Sequence, residues 1–206
     1  MFSLLFRGFA LGFAIAASPG PIFFLCVRRT LVDGRLTGFI SGFGVATADG
    51  FYAVIATFGV AALTSAFVAG RRPLALVGGA VLVVLGASIL MERRKPVNGP
   101  AVNTGRGLAW AYVSTLGLTV TNPATIISFA ALAATLGLGT GGSLFRPALV
   151  ALGVLLGSAA WWCVLVVAVS VLRARLTPRV VQGIGTFSGL AIAVLGILAV
   201  ISAFSG

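Results

Sequence analysis

Apolar residues run through the chain in six long blocks, 8–27, 36–70, 73–91, 107–134, 147–172 and 180–204, and charges fall almost entirely between them. An α-helix of about 20 residues crosses a hydrocarbon core roughly 30 Å thick. The pattern therefore predicts six transmembrane helices. Two blocks are interrupted: the first carries Ala17-Ser18-Pro19-Gly20-Pro21 and the fourth carries Thr121-Asn122-Pro123. Proline lacks a backbone donor and collides with the preceding turn, so each interruption predicts a helix broken near mid-membrane.

The interruptions fall at matching places. One set of three spans lies in 1–91 and another in 107–206. Between them the polar stretch from Glu92 to Arg106, with Arg93, Arg94, Lys95, Pro96 and Pro100, reads as a cytoplasmic linker. An odd number of spans per half sets the halves in opposite directions across the bilayer. The expected fold is all-α, a polytopic membrane protein of two inverted three-helix halves forming a single transmembrane transporter domain. Interrupted helices at matching positions of inverted halves point to a transporter's binding site.

Composition sharpens this picture. Hydrophobic residues make up 59% of the chain and charged ones 8%, with a mean hydropathy of +1.16. A soluble domain carries about 25% charged residues, so the solvent that suits this surface is lipid. The net charge of +11 would suggest nucleic acid in a soluble protein. Here the bases cluster between spans, as in cytoplasmic loops, and nucleic-acid binding is set aside. Loops one, three and five hold ten Lys and Arg residues, counting Arg28 and Arg29, against four on the other side, which places both termini outside. Arg7 followed by an apolar run ending Ala14-Ile15-Ala16 imitates a cleavable leader. The run resumes at Ile22, and the segment is read as an uncleaved span.

The chain has no histidine, and its two cysteines, Cys26 and Cys163, sit inside apolar runs. Neither a Cys/His metal site, a redox motif, nor a cofactor is expected. An enzyme is not expected either, with one intramembrane carboxylate and no spaced nucleophile. That carboxylate is Asp49, and an acid in a span is a functional candidate by default because burying it costs several kcal/mol unless it is paired or meets water. It could exchange a coupling proton or ion, pair with a solute ammonium, or make a structural pair with Arg7 or Arg28.

Around Ser18, Pro19, Gly20 and Pro21, backbone groups without helical partners must meet protein, water or solute. A half-helix starting near Pro21 would aim its positive end at that spot. Asn122, beside Pro123, could bond a solute or satisfy carbonyls that the proline frees. Gly38-x-x-x-Gly42 has the spacing for close helix approach.

Gly12 to Gly59 resembles the first two helices of the LysE/RhtB superfamily of bacterial amino-acid exporters, on Ala17-Ser18-Pro19-Gly20-Pro21, Gly34-Arg35, Gly38, Gly42, Gly44, Asp49 and Gly59. Asn122-Pro123 looks like the family's second break, and the six-span layout and polar central loop also fit. The resemblance implies secondary-active export of an amino acid or related small solute, driven by a proton or ion gradient, from the bacterial inner membrane, by a possible homo-oligomer. Ile22 and Ala124 stand where many members differ, which leaves the substrate open. Two other readings remain: a non-transporting structural or assembly subunit, and a thiol-relay membrane protein, which would need cysteines beside the prolines.

Overall fold

A computed structural model describes residues 2–58, 69–91, 105–136 and 145–205. Among the described residues eight helices appear in order: α1 (Phe2–Ala16), α2 (Pro21–Val32), α3 (Arg35–Thr57), α4 (Arg71–Met91), α5 (Gly105–Val120), α6 (Pro123–Leu136), α7 (Phe145–Arg173) and α8 (Pro178–Ser205). Gly59 and most of the central linker, 92–104, lie outside the described residues. Four helices, α3, α4, α7 and α8, are each long and apolar enough to cross a membrane. The other four form two bent pairs: α1 and α2 meet at 81°, and α5 and α6 at 61°. With each pair counted as one span there are six. The chain is an all-helical, multi-pass membrane protein.

Both breaks fall where the sequence puts the prolines, but the first broken span reaches further than expected. Its inner half, α2, runs on to Val32 and carries Arg28 and Arg29 within the helix. Gly34 then turns the chain into α3 with φ 98° and ψ 169°, a conformation essentially confined to glycine.

Glycines decide which helices touch. A methyl group on Gly8 or Gly12 would strike the backbone of Val150 or Val154, and one on Gly153 or Gly157 would strike Leu5 or Phe9. These residues bring α1 and α7 together backbone to backbone, running parallel. Gly44 similarly lies against Tyr112 and Thr115, joining α3 to α5. Exchanging the two halves carries the α1–α7 contact onto α5–α3, while α3–α7 and α4–α8 each join a helix to its own counterpart. Along α4 and α8 the meeting is antiparallel, with Gly79 facing Gly196 and Gly86 facing Gly189 and Ala193. The far side of α8 exposes Phe187, Leu190, Val194, Ile197 and Ile201, a stripe at helical spacing suited to lipid.

Candidate functional site

The first break is built by the loss of donors at Pro19 and Pro21. The Ala17 and Ser18 amides donate back to Phe13 and Ile15, at 2.9 and 3.2 Å, and close α1. Gly20 stands at the N-cap of α2 with φ −149° and ψ −173°, an extended conformation that any residue adopts. Glycine is thus not needed here for bending. What it supplies is room, since a Cβ at Gly20 would meet nothing within 4 Å. No side chain caps α2.

The second break is capped. Asn122 Oδ1 accepts from the Ala124 amide at 3.1 Å, and its carbonyl accepts from the Ile126 amide at 3.1 Å. Asparagine therefore serves an orphan donor at the start of α6, a role beside the two that the sequence left open, bonding a solute or satisfying carbonyls freed by Pro123. Thr119 and Ser128 return their hydroxyls to carbonyls one turn back.

Between the breaks lies a cavity of about 110 Å³, several times what one water needs. Ser18, Pro19, Gly20 and Pro21 form one wall, and Asn122 and Thr125 another. Asp49 enters from α3 and Trp162 from α7. Pro123 does not face this space; it borders a separate recess with Arg71, Arg72 and Ala75. Six of the seven residues singled out from sequence thus line one cavity. Neither cysteine lines it: Cys26 is a buried free thiol and Cys163 a half-buried one.

Asp49 is 3% exposed. Ser158 Oγ donates to its Oδ2 at 2.7 Å. Among the described residues no cation pairs with it, and the pair with Arg28 considered from sequence is not formed. Arg28 instead lies 4.0 Å from Asp33. Asp49 is about 21 Å along α3 from Arg35, taking about 1.5 Å per residue, so the carboxyl group sits deep in the span. Trp162 has its indole nitrogen buried with no acceptor among the described residues.

The sequence reading missed Arg29. Counted there as a loop base, it is 6% exposed and held inside the bundle. Its Nη1 donates to Ser41 Oγ and to the Ala111 carbonyl, both at 3.0 Å. Nη2 donates to Ser114 Oγ at 2.8 Å. The available signal was that Thr30-Leu31-Val32 continue the apolar character beyond the two arginines. Arg29 lines a larger cavity, about 610 Å³, formed by α2, the start of α3, the second half of α4 and the start of α5. This vestibule lies toward the base-rich loops. A packed layer that includes Ile22, Leu25, Cys26 and Leu118 lies between it and the cavity at the breaks.

Two broken spans enclosing a mid-membrane acid are a carrier's architecture, and comparison with known proteins agrees. The profile of a LysE type translocator matches residues 13–203. The chain belongs to that family. Over 200 residues the translocator is 26% identical to "Putative amino acid efflux protein YcgF" of Bacillus subtilis (strain 168), covering 90% of each chain. It is 30% identical over 114 residues to "Uncharacterized membrane protein YahN" of Escherichia coli (strain K12), a match spanning 54% of this chain and 51% of that one. No solved structure matches the translocator.

Proposed function

We propose that this translocator exports an amino acid or related small solute by secondary-active transport. The cavity between the two breaks would be the solute site, and Asp49 the group that couples solute movement to a proton or ion gradient. The observation that carries this reading is Asp49 itself: a deeply buried carboxyl without a cationic partner among the described residues, in a cavity walled by both broken spans. The wall is matched to a zwitterion. Asp49 is an acceptor for an ammonium, and the uncapped start of α2 offers amide donors and a positive helix end to a carboxylate. A relative bearing the name of an amino acid efflux protein supports the same solute class.

The base-rich vestibule would face the cytoplasm and load the carrier, with the layer around Leu25 and Leu118 closing the route inward. Transport would then follow from one half rocking against the other about the mid-membrane site. An efflux screen of amino acids from cells over-expressing the chain tests the reading. Wild type should release one class of amino acid in a gradient-dependent way, and Asp49→Asn should lose that dependence while remaining in the membrane. Gradient-dependent efflux unchanged in Asp49→Asn overturns the coupling role, and no amino-acid efflux from wild type overturns the solute class.

A further inference from the structure

The vestibule has chemistry of its own. Among the described residues, the buried guanidinium of Arg29 is held by neutral oxygens, those of Ser41, Ser114 and the Ala111 carbonyl. A buried charge normally has a counter-charge as well as hydrogen bonds. None of the carboxylates among the described residues is within ion-pair distance of it. The one acid in the vestibule wall, Asp33, lies instead by Arg28. Guanidinium has five N–H groups in a planar fork, and three are engaged. Two N–H groups remain on a side chain that borders about 610 Å³ of open space. The rest of that wall mixes polar Arg28, Asp33, Thr37 and Ser88 with an apolar side that includes Leu25, Val32, Leu85, Ile89 and Leu108.

We propose that the vestibule is a second binding site, separate from the cavity at the breaks, in which Arg29 receives the carboxylate of a solute whose apolar side chain lies against Leu25, Leu85 and Ile89. Ser41 and Ser114 are positioning residues: they hold the fork in place, so a carboxylate docks on a cation whose rotamer is already fixed. Arginine suits the task because its donors match two carboxylate oxygens at once. Along α3, Ser41 and Asp49 are eight residues, or about 12 Å, apart. The two sites are therefore successive stations on one path. This assignment deepens the export reading and rests on it for its purpose, though not for its test.

The test measures binding of 4-methylpentanoate and its uncharged amide to the purified full-length chain in a neutral detergent, by titration calorimetry. Wild type should favour the acid roughly tenfold, as one charge-assisted pair would give. In Arg29→Gln that preference should fall to about one, and in Arg29→Lys it should survive in part. Ser88→Trp places bulk in the vestibule on α4 without touching Arg29, and should weaken binding of acid and amide together; it carries the test where Arg29→Gln does not fold. The assay reads binding to the vestibule and not efflux, so a failed export reading and a failed vestibule site give different results. Equal binding of acid and amide by wild type overturns the proposal. So does a preference that survives Arg29→Gln, or binding unchanged by Ser88→Trp. Displacement of the acid by phosphatidylglycerol at far lower concentration would also overturn it and assign the vestibule to a lipid headgroup.

Discussion

Ser158 and Asp49 meet near the middle of their helices, and their hydrogen bond sets what each substitution should do. Asp49→Asn keeps the size of the side chain and removes the charge, so the variant should insert normally and lose gradient-driven efflux. Ser158→Ala removes one donor and leaves the carboxyl group in place, a change of about 1 kcal/mol. Efflux should fall a few-fold and keep its gradient dependence, as read by transport in vesicles with an imposed gradient; complete loss would show that Ser158 does more than hold Asp49. Asp49 could be found from sequence because an acid inside an apolar block is conspicuous. Arg29 was harder to find, because it adjoins Arg28 and both look like a loop marker, with only the short run Thr30-Leu31-Val32 beyond them to say otherwise. Successive residues of a helix point about 100° apart, so one arginine reaches Asp33 and the other enters the bundle. Removing Arg29 from the loop count leaves nine bases against four, and the side preference stands.

At the scale of elements, the breaks were legible and the pairings were not. A proline acts on its own turn, so Pro19, Pro21 and Pro123 mark their breaks without reference to the rest of the fold. Which helix lies against which depends on residues far apart in sequence. Gly38-x-x-x-Gly42 was the glycine pair conspicuous from spacing, and in the bundle Gly38 meets Thr30 and Val166 while Gly42 meets Trp162. The tighter contact pairs Gly8 and Gly12 with Gly153 and Gly157, and neither set reveals its partner by itself. Gly157→Leu would drive a side chain into the backbone of Phe9 and Phe13. Overpacking of this kind costs about 1–3 kcal/mol or more. The variant should unfold at a lower temperature in detergent than wild type, whereas Gly20→Ala, with open space around it, should match wild type.

For the whole molecule, the inverted halves give a two-fold pattern of helix contacts, and the two cavities break that symmetry. The larger lies toward the base-rich ends of α2, α4 and α5, and the smaller lies deeper, at the breaks. That asymmetry predicts one-sided access. In a Cys26→Ser/Cys163→Ser background, Ser88→Cys should react with a membrane-impermeant thiol reagent in inside-out vesicles and be protected in right-side-out ones. The reverse pattern would invert the assigned orientation. Counting bases foresaw the charge bias, but not that it would coincide with an open vestibule, because cavities arise from how helices splay rather than from any one helix.

The difference between the two breaks has a practical consequence for finding the cargo. Asn122 completes the start of α6 with its own oxygen, whereas among the described residues no side chain caps the start of α2. A carboxylate seated there would stand in for the missing residue, so the carrier would be structurally whole only when loaded. The cargo should then announce itself as a stabiliser. Screening amino acids by the melting temperature of the purified protein should single out the true solute by a rise of several degrees, before any transport is measured, and Gly20→Asp, which furnishes a built-in oxygen, should blunt that rise.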